Sequence, residues 1–404
     1  MNPITRPIRF AIDKWLQPMV KNKVLDNYTV ELTGGAKKGD GFLGDVNFVE
    51  VSAKSRSNKE DTIYNLAIKS SKNSEALRKI LPIKIMCQNE MHFYNKVMPT
   101  FERFQGERRI KAPFKNVPSC YDSLMLDDME IVLLKNMLKE DYRMHDRTQP
   151  LDKEHVRKVA KTYGKLHALS FALRDQDPEV FDDLGNGLVD VLRLITNANE
   201  LPKEDGFFVN FHKMAEQQGE PELAEKILLL PKITDTTDPT DPFAVIVHGD
   251  CWNNNYLFRY KDDQQTLLAD VCFLDFQFSR LTSPIYDLSY FIFSSISEED
   301  IKNFDEINTL YYESLFDFLK QLGSDADQMF PFDEFMNEWR KYGRIGLRMM
   351  FSVIRNCLME PNEIFDLKEV VESGKEMDCS SRTLERCCKR TFPLLQLAVD
   401  KKII

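Results

Sequence analysis

Residues 245–255 read Val-Ile-Val-His-Gly-Asp-Cys-Trp-Asn-Asn-Asn, an apolar run that turns abruptly polar at the histidine. The apolar part is typical of a buried strand and the polar part of a loop, in which Asp250 and Asn255 lie five residues apart. A second apolar run, residues 271–274, ends in the same way with Asp-Phe-Gln at residues 275–277. Two strands that each end in an aspartate at one cleft favour phosphoryl transfer from a metal-bound nucleotide.

Three of these polar residues have the chemistry that phosphoryl transfer requires. An attacking hydroxyl needs a group that accepts its proton, and Asp250 is the candidate base. Mg²⁺ prefers oxygen ligands, often one or two carboxylates with phosphate oxygens, so Asp275 and the amide oxygen of Asn255 are candidate metal ligands. Each residue alone is equally typical of a turn or a helix cap. Their joint order nevertheless predicts a catalytic centre.

The motif His-Gly-Asp-x-Trp-x-x-Asn, followed by Leu-Asp-Phe-Gln, resembles the ecdysteroid kinase-like family of insects, which is also called choline-kinase-like. This family is a branch of the protein-kinase-like fold, beside the aminoglycoside phosphotransferases and the choline kinases. Trp252 and Gln277 are the positions that point to this branch, because the wider fold usually has other residues there.

The resemblance implies a role for each motif residue. Asp250 is implied as the catalytic base, and Asn255 and Asp275 are implied as the Mg²⁺ ligands. His248 is implied as a residue that braces the catalytic loop, which is also what a buried core histidine would do. Asp287, in a Pro-x-x-Asp-Leu segment, is implied to brace the same loop, although it is equally typical of an acid in the first turn of a helix.

The N-terminal third has the pattern of a nucleotide clamp. Residues 28–32 and 46–51 read as strands, and the Gly-rich stretch between them contains Gly39, Gly41 and Gly44. A kinase covers the ATP phosphates with such a loop, since glycines let backbone N–H groups approach closely. Gly-rich hairpins are common, so this pattern is weak by itself.

A lysine and a glutamate further along strengthen the assignment. Residues 61–69 read as the next strand and end in Ala-Ile-Lys, similar to the Ala-x-Lys of kinases. The helix predicted over residues 74–98 contains Glu90 in a Glu-Met-His-Phe-Tyr segment, and the family has a similar Glu-x-x-Phe-Tyr. We therefore expect Lys69 to bind the nucleotide phosphates and to pair with Glu90, although two surface residues would be the ordinary interpretation.

Residues 130–137, Glu-Ile-Val-Leu-Leu-Lys-Asn-Met, fit an edge strand that leads into a hinge between two lobes. We expect adenine to bond to the backbone here, with Asn136 in the nucleotide site. Two positions depart from the family: Lys135 stands where an acid is frequent, and Gly44 stands where serine is common.

The predicted fold is α+β, a bilobal protein-kinase-like fold with a small β-rich N-lobe (residues 1–134) and a larger helical C-lobe (residues 135–404). A catalytic β-hairpin, residues 256–260 and 267–274, connects the two motifs. Hydrophobic spacing predicts C-lobe helices over residues 155–173, 208–230, 303–322, 333–359 and 379–397.

Composition limits the class of protein. The 404 residues are 43% hydrophobic, which is enough for two lobes, and a net charge of −10 argues against a nucleic-acid partner. The N-terminus leads into no secretory signal, and no run of about twenty apolar residues predicts a membrane span. Eight cysteines without a Cys-x-x-Cys pair favour free thiols in the cytoplasm.

Two functions of different classes fit these features. The first is an active small-molecule kinase that uses ATP and Mg²⁺, and the second is a kinase-shaped ligand-binding protein without catalysis. The presence of every catalytic residue favours the first. A protein kinase is disfavoured because His-Arg-Asp, Asp-Phe-Gly and Ala-Pro-Glu are missing and only eleven residues separate Asp275 from Asp287.

The acceptor is implied by the resemblance to be a hydroxylated small molecule, with ecdysteroids as the named case and hydroxylated xenobiotics as the alternative. Residues 348–354, Arg-Met-Met-Phe-Ser-Val-Ile, lie where such folds form the acceptor site, although core packing is an equal interpretation. Arg348 and Arg355 flank this apolar segment where choline recognition would need acids, so we expect a neutral, bulky alcohol rather than choline or an aminoglycoside.

Overall fold

The computed structural model describes residues 4–36, 44–55, 61–127, 129–197, 205–231, 238–262, 264, 267–364, 369–370 and 379–404. The predicted phosphate-binding glycines Gly39 and Gly41 lie outside the described residues, whereas Gly44 lies within them.

The N-terminal part of the chain is built around a five-stranded antiparallel sheet. Its strands are β1 (Leu25–Gly35), β2 (Gly44–Ser55), β3 (Thr62–Ser71), β4 (Cys120–Leu126) and β5 (Met129–Lys135). They lie in the order β1-β2-β3-β5-β4. The strands predicted over residues 28–32, 46–51 and 61–69 are therefore confirmed. The prediction of an edge strand over residues 130–137 was wrong, because β5 pairs with β3 on one side and with β4 on the other. The hinge sequence begins where β5 ends.

One face of this sheet is covered by helix α1 (Arg6–Lys21), which we did not predict. Its residues Ile12 and Leu16 share a buried core with Val51 and Ile68 of the sheet. Burying an aliphatic side chain of this size stabilises the fold by about 1.5–3 kcal/mol. The core holds β2 and β3 in place, and β3 in turn positions Lys69.

Helices follow β3 along the chain in a broken series. They are α2 (Glu75–Ile80), α3 (Ile83–His92), a π-helical turn (Phe93–Val97) and α4 (Met98–Glu107). The prediction of one helix over residues 74–98 was wrong at Pro82. The residue before a proline is pushed out of the α region, and Leu81 accordingly has φ −113° and ψ 136°.

The C-terminal part is mainly helical. Its helices are α5 (Lys153–Gln176), α6 (Pro178–Asn186), α7 (Val191–Asn197), α8 (Asp205–Gln217), α9 (Pro221–Leu228), α10 (Pro284–Ser295), α11 (Phe304–Leu322), α12 (Ala326–Met329), α13 (Phe332–Leu358) and α14 (Ser381–Asp400). Its short strands are β6 (Tyr142–Met144), β7 (Val245–Ile246), β8 (Tyr256–Tyr260), β9 (Leu268–Phe273) and β10 (Leu281–Thr282).

Most of the helix predictions in this part are confirmed, with one correction. The helix predicted over residues 208–230 is two helices, α8 and α9. Gly219, at φ +80°, reverses the chain between them, and Pro221 starts the second helix.

This arrangement confirms the predicted fold class, a β-rich N-terminal region followed by a helical region that contains the β8–β9 hairpin. The boundary between residues 134 and 135 stays a prediction. Among the described helices, none combines the length and the apolar character that crossing a membrane requires.

A buried acid on α13 makes the stability of this region dependent on pH. Glu338 is 5% exposed, and its Oε2 atom has no hydrogen-bond partner within the described part of the chain. Burial, assisted by the nearby charge of Asp241, raises the pKa of Glu338 to about 7, against a weaker opposing hydrogen bond from Ser283. The folded protein therefore keeps a proton on Glu338 at a pH where the unfolded chain has lost it.

We expect the protonated Glu338 side chain to make its full contribution to the free energy of unfolding below a pH of about 4.5. That contribution is lost as the pH rises through about 7. Glu338→Gln should remove that loss and stabilise the protein at pH 8 by about 1 kcal/mol or more. Urea unfolding of wild type and variant at pH 5 and pH 8 measures it, with the exposed Glu313→Gln as control. Parallel pH dependence of wild type and Glu338→Gln would disprove the assignment.

Candidate active site

The loop after β7 is held in one conformation by a buried carboxylate. Asp287, on the first turn of α10, accepts hydrogen bonds from the backbone N–H groups of His248 (2.6 Å) and Gly249 (2.9 Å). Gly249 has φ +87°, and a Cβ atom there would lie 2.2 Å from the carbonyl oxygen of Phe278. Only glycine fits this position, so the loop enters Asp250 with a fixed backbone.

Two histidines support this bracing. The Nε2 atom of His248 lies 2.8 Å from the carbonyl oxygen of Leu274 and so connects the two catalytic motifs. His167, fully buried on α5, lies 3.1 Å from Asp287 Oδ2. Burial alone would raise the pKa of Asp287, but hydrogen bonding and the charge of His167 outweigh it and lower that pKa. The interpretation of His167 and His248 as structural residues agrees with these contacts.

Asp250 is held by hydrogen bonds at both carboxylate oxygens. The hydroxyl of Tyr290, on α10, donates to Oδ1 at 3.0 Å, and the amide nitrogen of Asn255 donates to Oδ2 at 2.9 Å. Burial, followed by the negative charge of Asp275, raises the pKa of Asp250 to about 7 even though both hydrogen bonds lower it. A base with a pKa near neutrality suits proton transfer at physiological pH.

Asn255 and Asp275 are brought side by side by the β8–β9 hairpin. The backbone N–H of Leu274 donates to the carbonyl oxygen of Asn255 at 2.9 Å. Asn255 uses its amide nitrogen on Asp250, and its Oδ1 atom has no hydrogen-bond partner among the described residues. That oxygen and the Asp275 carboxylate form the kind of partial oxygen site that Mg²⁺ completes with nucleotide phosphates.

Within the described ranges, no group of three or more His, Cys, Asp or Glu residues comes together as a metal site. Asp275 itself has φ +65°, a left-handed conformation that aspartate tolerates better than most residues. Its Oδ2 atom accepts a hydrogen bond from Gln277 at 3.3 Å. The oxygen pair Asn255–Asp275 therefore fits Mg²⁺ that takes its remaining ligands from phosphates and water.

Lys69 joins the sheet to the metal motif. Its Nζ atom lies 2.6 Å from Asp275 Oδ1 and 2.8 Å from Glu90 Oε2. Burial lowers the pKa of Lys69, but the charges of Asp275 and Glu90 outweigh it, so the net shift is upward and the ammonium stays charged. Burial raises the pKa of Glu90 to about 7 in spite of the opposing Lys69 charge. The structure thus brings together the predicted pair, and places Asp275 in the same cluster.

The helix that carries Glu90 is fastened directly to the Asp275 segment. Phe276 is fully buried and stacks on Phe93, with ring centroids 3.6 Å apart. The Asn89 amide donates to the carbonyl oxygens of Gln277 (3.3 Å) and Ser279 (3.2 Å). These contacts explain how residues far apart in sequence hold Lys69, Glu90 and Asp275 in one cluster.

One cleft of about 430 Å³ lies between the sheet and the helical region, and it is lined by Lys69, Glu90, Asp250, Asn255 and Asp275. Five apolar side chains that would suit adenine are part of its lining: Ala67, Leu134, Met137, Leu257 and Leu274. The polar end contains Lys69, Asp250 and Asp275. An apolar slot with a few convergent polar groups is typical of a nucleotide or ligand site.

The hinge differs in detail from our expectation. Asn136 lines the cleft, but its N–H donates to the carbonyl oxygen of Asn65 and its side chain caps the short helix at Leu138. The N–H of Lys135 donates to Ser119, and its side chain pairs with Glu140 at 2.9 Å. Neither backbone N–H is free for adenine, because both extend the hydrogen bonding of β5 to the segments on its two sides.

Gly44 lines the cleft at the start of β2 rather than within a loop. A Cβ atom there would lie 2.9 Å from the carbonyl oxygen of Ser70 on β3. This close approach explains why this chain has glycine where the family it resembles commonly has serine. Gly44 therefore offers no side chain for a contact to phosphate.

The apolar segment of α13 divides between two environments. Met349 and Val353 line the cleft together with Ser352, whereas Met350, Phe351 and Ile354 are fully buried in the core. The acceptor-site interpretation therefore applies to the face that carries Met349 and Val353, and the core-packing interpretation applies to the face that carries Met350 and Phe351.

The expectation that Arg348 and Arg355 edge the acceptor wall was wrong. The Arg348 guanidinium lies 3.4 Å from the ring centroid of Phe208, and the Arg355 side chain is 7% exposed; neither lines the cleft. Arg348 and Arg355 come one residue before Met349 and Asn356, and a helix rotates about 100° per residue, so both arginines point away from the face that lines the cleft.

The sequence analysis missed Tyr290 and Asn356, and it gave Ser352 no role of its own within residues 348–354. Tyr290 is one helical turn beyond Asp287, and that spacing was the available signal that it faces the same loop. Ser352 and Asn356 carried no signal beyond their spacing with Met349.

Comparison with known proteins identifies the relatives of this chain. The model of the ecdysteroid kinase-like family matches residues 38–324. No curated protein sequence matches. A solved GDP complex of aminoglycoside 2'-phosphotransferase-IIIa is 10% identical, with 97% of this chain and 98% of that chain covered and a TM-score of 0.35. A candidate fructosamine-3-kinase from Haemophilus somnus 129PT is 11% identical, with 87% and 97% covered and a TM-score of 0.35.

Proposed function

Since the chain belongs to the ecdysteroid kinase-like family, we propose that it is an ATP-dependent small-molecule kinase that phosphorylates a hydroxyl of an apolar substrate such as an ecdysteroid. The observation that carries the proposal is the cluster of Lys69, Asp250, Asn255 and Asp275 at the polar end of one cleft. In this proposal residues 1–134 clamp the nucleotide, and residues 135–404 supply the base and the acceptor site.

Asp250 acts as the base in this proposal. Asn255 and Tyr290 fix the orientation of its carboxylate by hydrogen bonds of 2.9 and 3.0 Å, and each oxygen keeps a second lone pair for the acceptor hydroxyl. Asp250 takes the proton as that hydroxyl attacks the γ-phosphorus and the bond to the leaving ADP oxygen breaks. Holding base and acceptor in this geometry lowers the barrier by orientation.

Asn255 and Asp275 would hold Mg²⁺, which when bound neutralises charge on the phosphates. Lys69 supplies a second positive charge for the phosphates. Its ammonium is held by Glu90 at 2.8 Å and lies 2.6 Å from Asp275. Gly44 contributes a backbone edge to the phosphate end, and Asn136 lies at the adenine end of the cleft. Gly39 and Gly41 are proposed phosphate-binding residues from the sequence pattern alone.

The proposed location is the cytoplasm, where the eight cysteines, all unpaired in the structure, would stay reduced. A kinase that acts on hydroxylated xenobiotics would use the same residues. A kinase-shaped binding protein without catalysis is the second candidate function. Labelled ATP tests the proposal: transfer of its γ-phosphoryl group to a hydroxylated sterol supports it, and nucleotide binding without any phosphorylated product favours the second candidate.

Tyr290→Phe is expected to lower kcat by about 10-fold and to leave the KM for ATP unchanged. The change removes a hydrogen bond to a carboxylate, an interaction of about 1.5–3 kcal/mol, without altering the ring that packs in α10. Steady-state kinetics measure both constants. Tyr286→Phe, one turn earlier on the same helix, is the matched control; an unchanged kcat for Tyr290→Phe would show that Asp250 does not depend on this contact.

A further inference from the structure

The wall of the cleft opposite the nucleotide end is set by a close contact between two helices. A Cβ atom on Gly346 of α13 would lie 2.3 Å from the backbone carbonyl carbon of Ser289 on α10. Only glycine allows this approach, and it brings α13 against the turn of α10 that carries Tyr290. The following turns of α13 therefore lie beside the hydroxyl that holds Asp250.

Those turns present one stripe of the helix to the cleft. Met349, Ser352, Val353 and Asn356 follow at helical spacing, and all four line the cleft that also contains Asp250. Two of these side chains are apolar and two are polar. An acceptor that lies along the stripe would contact both kinds of group.

The two polar side chains have hydrogen-bonding capacity that the protein does not use. Thr162 and Thr309 on other helices donate to the carbonyl oxygen four residues earlier, which is the usual bond for such a residue in a helix. Within the described part of the chain, Ser352 makes no such bond. The Asn356 Oδ1 atom accepts hydrogen bonds from Arg355 at 3.3–3.4 Å, and its Nδ2 atom has no acceptor among the residues that the structure describes.

We infer that the acceptor carries a second oxygen, a hydroxyl or a ketone, which binds Ser352 and Asn356 while the reacting hydroxyl lies at Asp250. This inference rests on the proposed function and narrows its substrate class to apolar alcohols with two separated oxygens. Met349 and Val353 pack on the apolar skeleton between them. Ser352 and Asn356 are then the residues that decide specificity, since an analogue without the second oxygen leaves their donors unpaired.

Androstenediol and the androstenol with the same ring double bond and the same configuration at the shared hydroxyl, which lacks only the second hydroxyl, test the inference as a matched pair of probes. Wild type is expected to prefer the diol by about 10-fold in both Kd and kcat/KM, the scale of one or two neutral hydrogen bonds. The double variant Ser352→Ala/Asn356→Leu should lose this preference and keep its affinity for androstenol. Asn337→Leu, on the exposed side of the same helix, is the control and should behave as wild type.

Binding and turnover are measured separately so that the two proposals can fail separately. A diol preference in Kd that the double variant loses supports the inference, even where no phosphoryl transfer occurs and the proposed function fails. Phosphoryl transfer to both steroids with equal Kd and kcat/KM overturns the inference and leaves the proposed function standing. A preference that the double variant retains also overturns it, because other residues would then recognise the second oxygen.

Discussion

Asp250→Asn is expected to lower kcat by about 10²-fold or more, the usual scale for loss of a general base, while ATP affinity is retained. Asparagine has nearly the same shape as aspartate. Its carbonyl oxygen can accept the hydrogen bond from Asn255, and its NH2 group can donate to the hydroxyl oxygen of Tyr290. What it loses is the ability to take a proton from the acceptor. Single-turnover kinetics and nucleotide titration measure the two properties independently.

The pH dependence of the wild type gives a second test of the same residue. Because burial raises the pKa of Asp250 in the free protein to about 7, the ionised base is depleted below that pH, and kcat/KM should fall as the pH is lowered from 8 to 6. Asp317→Asn, on the exposed face of α11, is the matched control for the substitution. Wild-type turnover in Asp250→Asn would exclude Asp250 from the mechanism.

Asp275→Asn is expected to have the largest effect, a loss of turnover of about 10³-fold, since metal stabilisation of phosphate charge is worth several kcal/mol. Asparagine tolerates the left-handed backbone at φ +65°, so the change removes charge without forcing a new loop conformation. It also removes the 2.6 Å ion pair with Lys69. A Mg²⁺ titration of activity should shift to higher concentration and reach a lower maximum.

Folding must be separated from metal binding in this experiment. Thermal unfolding of Asp275→Asn without metal or nucleotide identifies any loss of folded structure. Gln277→Ala, which removes the side chain that donates the 3.3 Å hydrogen bond to Asp275, is a comparison variant with a smaller expected effect on turnover. If Asp275→Asn keeps both the Mg²⁺ dependence and the maximal rate of wild type, Asp275 is not a metal ligand.

The catalytic motifs could be predicted from sequence because each is continuous along the chain. An apolar run that turns polar marks the end of a strand, so Asp250 and Asp275 were correctly expected in the loops that follow β7 and β9. The Lys69–Glu90 pair followed from motif order. Their meeting with Asp275, 206 residues beyond Lys69, depends on packing of Phe93 on Phe276 that no local pattern encodes.

The acceptor wall could not be predicted because it depends on which face of α13 is exposed. A continuous apolar segment has no periodicity that distinguishes a cleft from a core, so Met349 and Met350 read alike although only Met349 lines the cleft. The Gly346–Ser289 contact decides the rotation of the helix, and it joins residues far apart in sequence. By contrast, the break at Pro82 was encoded locally and could have been predicted.

The most direct test of the account is mass spectrometry of the products formed from Mg²⁺, ATP and three acceptor classes: hydroxylated steroids, choline and an aminoglycoside. We expect wild type to form a phosphorylated steroid and Asp250→Asn to form none. We expect little or no phosphorylated choline or aminoglycoside from either protein. A higher kcat/KM for choline than for any apolar alcohol, or nucleotide binding with no phosphorylated product of any class, would contradict it.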